Sequence, residues 1–297
     1  MKPAEFDLVR PTSIEGVVAE LQRGEGEARV IAGGQSLIPM MNFRLARPAT
    51  LIDITGIPGL RGIRRSENGW VSIGATTTHA EVERSALLVE ALPLLPRAMR
   101  SVAHRAIRNR GTLGGSLAHA DPAAEWPALC IASSAVIEVV GPAGVRQVAA
   151  VDFFKGTFWT DLEEGEIIAS VRFPAWQPRA PWWFDEISRR RGDFAIAGIV
   201  AVMAQPACSD GALPSRVVLF GIEDVPKVLG IDLVQLAGNG LRHEDCERAA
   251  ALALHEISPR GDLHASAEYR NGLARALLER SFQALRERLG DGGGDAR

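Results

Sequence analysis

Arg29-Val30-Ile31-Ala32-Gly33-Gly34-Gln35-Ser36-Leu37 decides the first part of the fold. Residues 29 to 32 have the composition of a buried strand. Gly33 to Ser36 are turn formers, and the apolar residues from Leu37 to about Phe43 suit a short helix. Upstream, Thr12-Ser13-Ile14-Glu15 has a capping-box pattern and predicts an amphipathic helix through Leu21. Downstream, residues 51 to 54 predict a second strand. Strand and helix alternate with short turns between them, which predicts a small parallel α/β unit over residues 1 to 56.

After Gly56-Ile57-Pro58-Gly59 the pattern changes. Residues 60 to 65 and 70 to 74 alternate as a hairpin about Asn68-Gly69, and helical stretches follow from Thr78 to about Val102. A second glycine segment, Gly111-Thr112-Leu113-Gly114-Gly115-Ser116, reads as a loop leading through Asp121-Pro122 into a helix over residues 123 to 132. Asp121 suits the N-cap of that helix, which leaves Glu125 in its first turn. Strands are expected near residues 135 to 140, 145 to 148 and 166 to 173, giving an α+β unit over 57 to 176. The proline-rich stretch from Pro174 to Pro181 reads as a linker into a third unit, 177 to 297. There, strands near 184 to 189, 196 to 203 and 216 to 221 precede helices over 243 to 257 and 265 to 289. Trp182-Trp183, just past the linker, are placed to fasten two units together, and the tail from Gly290 reads as frayed.

Composition narrows the function. The 297 residues carry 33 Lys plus Arg against 36 Asp plus Glu, a net charge of −3 with no basic tail, which disfavours nucleic acid as the main partner. The three lysines are Lys2, Lys155 and Lys227; none follows a glycine, so no Walker A loop is present. Cys130, Cys208 and Cys246 are isolated and odd in number, which argues against a disulfide framework and for a reducing compartment. The longest apolar run, from Phe194 to Ala204, is too short for a membrane span. The expectation is a soluble cytoplasmic protein.

Glycines at a strand-to-helix turn admit a ligand close to the backbone, and consecutive N–H groups there suit an anion. Two such segments, with Ser36, Thr112 and Ser116 supplying hydroxyls, could hold a diphosphate without lysine. Each glycine pair reads equally well as a tight turn, and at this point both readings stand. Neither segment fits G-x-G-x-x-G. A G-x-S-x-G nucleophile elbow fails at its fifth position, which is Ile38 or Ala118. His119, Asp121 and Glu125 lack a second histidine at helical spacing, so a metal site is not expected. His79, His104, His243, His255 and His264 are scattered and read as packing or surface residues.

The quoted residues resemble a known family. Ala32 to Leu37 and the run from Arg108 through Glu125 are similar to the two signature loops of the FAD-binding medium subunit of molybdenum hydroxylases, which includes carbon monoxide dehydrogenase and the flavin domain of xanthine dehydrogenase. The resemblance extends to Gly74-Ala75-Thr76-Thr77-Thr78-His79, Arg190-Arg191-Gly192-Asp193-Phe194-Ala195 and Ser266-Ala267-Glu268-Tyr269-Arg270, and so spans nearly the whole chain. It implies an α+β (α/β) fold: a two-part FAD-binding domain of the vanillyl-alcohol-oxidase type, then a C-terminal α+β domain with a small antiparallel sheet and helices.

By that resemblance Ala32, Gly33, Gly34, Gln35, Ser36 and Leu37, with Gly111, Thr112, Leu113, Gly114, Gly115 and Ser116, supply backbone and hydroxyl donors to the diphosphate and adjoining sugar groups of a non-covalent FAD. Glu125 stands where relatives usually carry an Asp that contacts the FAD from this helix, and Ile168 matches an apolar position at the adenine end. Phe194 falls where several relatives have Tyr near the isoalloxazine ring. The family's subunit takes electrons from two [2Fe-2S] clusters of a small partner and passes them to an external acceptor. The substrate is oxidised at molybdopterin in a large partner, the three chains forming a heterotrimer that can dimerise. No residue of this chain is then expected to act as acid, base or nucleophile. Three distant cysteines cannot supply the four ligands of a cluster, which places those centres in other chains. Two rivals differ in class: a free-standing FAD oxidoreductase of the same fold, and a non-catalytic scaffold in which both glycine pairs are turns.

Overall fold

The computed structural model describes residues 2–67, 69–174, 176, 180–203 and 215–290. Strands β1 (Asp7–Val9), β2 (Ala28–Ile31) and β3 (Thr50–Asp53) form a parallel sheet in the order β1-β3-β2. Helix α1 (Ile14–Arg23) packs on it through Val17, which with Ala28, Ile52 and Ile54 forms a small core. The helix begins differently from the expectation. Ser13 is the N-cap and accepts from Gly16 N–H at 3.2 Å, so the third helical position is glycine and no reciprocal glutamate completes a box. The helix also runs two residues beyond Leu21, to Arg23. Helix α2 (Leu37–Asn42) follows the first glycine pair.

A five-stranded antiparallel sheet comes next, ordered β4-β5-β10-β6-β7, from β4 (Ile63–Arg65), β5 (Val71–Gly74), β6 (Val136–Gly141), β7 (Gly144–Ala149) and β10 (Ile167–Phe173). The β4–β5 pair is the expected hairpin; Asn68 at its turn lies outside the described residues. Helices α3 (His79–Arg84), α4 (Ala86–Ala91), α5 (Leu94–Met99), α6 (Arg105–Arg108), α7 (Leu113–His119) and α8 (Glu125–Ala132) fall between β5 and β6. All but α6 share one core with the sheet, in which Ile73, Leu95, Leu117, Trp126, Ile137 and Val171 are fully buried. Thr78 and Glu81 make the capping box that Thr12 does not: Thr78 Oγ1 accepts from Glu81 N–H, and Glu81 Oε2 accepts from Thr78 N–H at 2.8 Å. Short α9 (Ala150–Phe153) and the hairpin β8 (Phe154–Gly156), β9 (Trp159–Thr160) lead back to β10.

Strands β11 (Trp182–Ile187), β12 (Ala197–Val202), β13 (Arg216–Phe220) and β14 (Lys227–Leu229) build a four-stranded antiparallel sheet in that order. Helices α10 (Leu233–Gly238), α11 (His243–Leu254) and α12 (Ala267–Gly290) complete the chain. Alternate residues of β12 and β13 face opposite ways: Val200, Val202, Val218 and Phe220 join the large core, while Ile199, Ala201, Val217 and Leu219 join a second one with Leu277 and Leu278 of α12. Both faces are covered, which is why β12 is apolar throughout. The tryptophan pair does what its position suggested. Trp182 packs on the large core and Trp183 on the second, with the Arg288 guanidinium over both rings at 4.2 and 5.5 Å. Cys130 and Cys246 are buried free thiols; Cys208, positions 175 and 177–179 of the proline-rich linker, and the tail beyond Gly290 lie outside the described residues.

Candidate functional site

The two glycine segments meet. A β-carbon on Gly33 would lie 2.0 Å from the Arg110 carbonyl oxygen and 3.0 Å from Gly111 Cα, so only glycine lets the first loop close on the second. Gly34 turns the chain at φ +71°, directing it into α2. A cavity of about 1430 Å³ opens beside this junction, larger than the roughly 300–1,000 Å³ of ordinary small-molecule pockets. Its walls come from β2, both loops, the hairpin tip at Phe158, the start of β10, and the segment from Arg189 to Ile196.

Ala32, Gly33, Gly34, Gln35, Ser36, Leu37, Gly111, Thr112, Gly114, Gly115, Ser116, Glu125, Ile168 and Phe194 all line that cavity. Leu113 does not. Its side chain is fully buried in the core and its N–H donates to Thr77 O at 3.0 Å, because the residue already belongs to α7. The second segment is therefore not a loop standing before a helix: Thr112 is the N-cap of α7, its Oγ1 accepting from Gly115 N–H at 3.2 Å, and both Gly114 and Gly115 lie in the first helical turn. Asp121 differs likewise. Its carboxylate accepts from Ala123 N–H at 2.9 Å, stabilising a turn, while Ala124 is the N-cap of α8 and Glu125 occupies the first turn as expected.

The two segments contribute differently. Among the described residues, the N–H groups of Gly33, Gly34, Gln35, Ser36 and Leu37 find no acceptor within the chain. In the second segment Gly111 N–H goes to Ile107 O, Gly114 N–H to Ala75 O and Ser116 N–H to Thr112 O, leaving Thr112 N–H unassigned. The first loop is thus the donor array, and the second is a close-packed wall. Gly114 has no room for a side chain, since its β-carbon would meet that of Ala75 at 2.6 Å, whereas Gly115 is exposed to the cavity. A run of free main-chain donors beside a large, mostly apolar cavity suits a nucleotide cofactor with a central diphosphate. The residues present fit FAD.

Residues that patterning did not single out stand around the same space. His79 lines the cavity yet is 6% exposed; its Nδ1 accepts from Trp126 Nε1–H at 3.0 Å. Indole can only donate, so the neutral imidazole carries its proton on Nε2. Burial, with the charge of Arg108 adding to it, pushes His79 down to about 4. Arg270, from α12, is 6% exposed, donates to the carbonyls of Ile196 and Gly221, and pairs with Asp262 at 2.6 Å. It ties the last helix to the segment carrying Phe194. No His, Cys, Asp or Glu group able to hold a metal occurs among the described residues.

Comparison with known proteins agrees with this geometry. Residues 4–176 match the family described as the FAD binding domain in molybdopterin dehydrogenase, and residues 182–285 match the CO dehydrogenase flavoprotein C-terminal domain. The chain is 38% identical to the nicotine 6-hydroxylase medium subunit of Paenarthrobacter nicotinovorans, over 95% of this chain and 98% of that one. It superposes on a chain of carbon monoxide dehydrogenase from Hydrogenophaga pseudoflava with a TM-score of 0.88 at 35% identity, covering 97% and 99% of the two chains. For quinoline 2-oxidoreductase of Pseudomonas putida 86 the TM-score is 0.85 at 36% identity, covering 97% and 99%. The chain belongs to the FAD-binding medium subunits of the molybdenum hydroxylases and is the flavoprotein component of an oxidoreductase.

Proposed function

We propose that this chain is the electron-transfer subunit of a heteromeric molybdenum hydroxylase, receiving electrons from [2Fe-2S] clusters of a small partner and releasing them to an external acceptor. A large molybdopterin-bearing partner oxidises the substrate, and the assembly is cytoplasmic. Among the described residues, no helix is long and apolar enough to cross a membrane. We assign residues 1 to 56 and 57 to 176 to the two parts of the FAD-binding domain, and 177 to 297 to the C-terminal domain.

The observation that carries the reading is the run of free N–H groups from Gly33 to Leu37 along a cavity of about 1430 Å³. Those donors hold the diphosphate; Gly111, Thr112, Gly114, Gly115 and Ser116 form the wall against it, Ile168 covers the adenine end and Phe194 the isoalloxazine end. When bound, FAD supplies a centre that exchanges electrons one or two at a time. The chain's own part is to bind and orient it.

Purification of the assembly from its native host tests this. Co-purification with a large molybdopterin chain and a small cysteine-rich chain, with substrate turnover only in the complex, is expected. Turnover of an organic substrate by this chain alone, or failure to take up FAD, would overturn it.

A further inference from the structure

His79 opens α3 and is packed into the second glycine segment. Its main-chain N–H donates to Gly111 O at 3.0 Å, and Leu113 N–H donates to Thr77 O at 3.0 Å, so the backbone around it is pinned to that segment. The ring is fixed as firmly. Nδ1 accepts at 3.0 Å from the indole N–H of Trp126, which is fully buried in the core. On the opposite edge, a β-carbon on Gly111 would fall 2.9 Å from both Cδ2 and Nε2. Glycine at position 111 is what leaves that edge of the imidazole its space.

The Nε2 edge carries the proton of the neutral ring, because the indole can only donate to Nδ1. Among the described residues, no acceptor within the chain meets Nε2–H. His79 is 6% exposed and lines the cavity; with Nδ1 turned into the core, Nε2 is open to that space and not sealed. A donor so nearly buried is rarely left without an acceptor in a native protein, so the acceptor belongs to what fills the cavity.

The surroundings point to the kind of acceptor. Gly111 also meets the first loop, since a β-carbon on Gly33 would lie 3.0 Å from Gly111 Cα. Nε2 thus stands across one glycine from the start of the free N–H groups of Gly33 to Leu37, and that glycine is followed by the free N–H of Thr112. Neutral donors gathered around one junction suit an anion whose charge is spread over several oxygens. The nearby cation does not compete for it: Arg108 is bonded to Glu83 and to the carbonyls of Val102 and Ala103.

We propose that His79 is a neutral phosphate ligand, its Nε2–H donating past Gly111 to an oxygen of the diphosphate of the flavin nucleotide. This rests on FAD occupying the cavity. Trp126 is a positioning residue: it touches no ligand and holds the proton on Nε2 by occupying Nδ1.

The test uses the full chain, freed of flavin, at about pH 7. With 15N-labelled histidine, wild type should show an unprotonated Nδ1 and a protonated Nε2 for His79, and the Nε2–H resonance should shift when FAD is added. Trp126→Phe should let a proton appear on Nδ1 as well. By flavin fluorescence, His79→Gln, which keeps an N–H donor and an acceptor for the indole, should bind FAD within about threefold of wild type. His79→Met, which has no donor, should bind about tenfold more weakly and change the 31P resonances of the bound diphosphate. An Nε2–H resonance that FAD leaves unmoved, a His79→Met variant that binds like wild type, or a folded His79→Gln variant as weak as His79→Met would overturn the proposal. So would 31P resonances identical in wild type and His79→Met. Absence of FAD binding by the wild type would instead remove the cofactor assignment on which the proposal stands.

Discussion

Gly33 lies so close to Arg110 that a β-carbon on the glycine would fall 2.0 Å from the arginine's carbonyl oxygen. The first glycine loop is held against the second by main chain meeting main chain, and neither side can swing away as a side chain would. Gly33→Ala must therefore displace a whole loop. A loss of roughly 1–3 kcal/mol is expected from such overpacking, read as a lower urea midpoint, together with loss of bound flavin. A variant that melts and retains FAD like wild type would show that the contact does not hold the site together.

Gly115 offers the complementary experiment. Its β-carbon would meet only the Thr112 hydroxyl, at 2.8 Å, and the residue is exposed to the cavity. Asp and Asn at this position cost the same cap geometry, on the order of 1 kcal/mol, but differ in charge. Gly115→Asp should abolish flavin retention through desalting, while Gly115→Asn should keep a measurable fraction. Equal flavin content in the two variants would mean that no phosphate lies near the start of α7.

The pH dependence of stability should carry the signature of His79. Its imidazole titrates near about 4 in the folded chain and near about 6.5 when unfolded. Below about 6.5 the unfolded chain binds the extra proton, so stability is complete above that pH and falls as pH drops toward 4. The slope approaches about 1.4 kcal/mol per unit, or about 2 kcal/mol by pH 5. His79→Gln keeps an acceptor for Trp126 Nε1–H and removes the titration. Denaturant melts at about pH 7 and pH 5 should show the wild type losing about 2 kcal/mol more than the variant.

How far the chain could be read before its structure follows from which interactions are local. The strand-loop-helix run around Gly33-Gly34, the β4–β5 hairpin and the apolar faces of β12 and α12 are set by neighbours in sequence, and periodicity found them. Boundaries failed where a cap decides. Thr112 turns residues that look like a glycine loop into the first turn of α7, because its hydroxyl captures Gly115 N–H. β1 and β14 are three-residue strands that exist only through pairing with β3 and β13, so no local pattern announces them. The glycines marked the two segments that meet beside the cavity. The bond between His79 and Trp126 and the Arg270 clamp join residues distant in sequence. Composition alone cannot show such meetings. A warning was available for Arg270: an arginine inside an otherwise core-forming helix needs acceptors to be buried.

Phe194 is 65% exposed on the cavity wall, while the residues after it, Ala195 and Ile196, are buried. Arg270 fixes Ile196 through its carbonyl, so position 194 projects from a firm base. Phe194→Tyr adds one hydroxyl at that mouth without disturbing the anchor, and flavin content should stay at the wild-type level. If the new hydroxyl bonds the flavin more strongly in one redox state, a difference of about 1 kcal/mol corresponds to about 20 mV in a two-electron potential. Arg270→Lys makes the contrast. A single ammonium cannot reproduce the fork that holds Ile196, Gly221 and Asp262, so this variant should lose roughly 2–4 kcal/mol of stability, and with it ordered placement of the same segment. Potentiometric titration of both assembled variants, beside their melting midpoints, separates the effects. Phe194→Tyr should move potential or acceptor rate with no change in melting, whereas Arg270→Lys should move melting first. An unchanged potential and acceptor rate in Phe194→Tyr would place residue 194 away from the reacting end of the cavity.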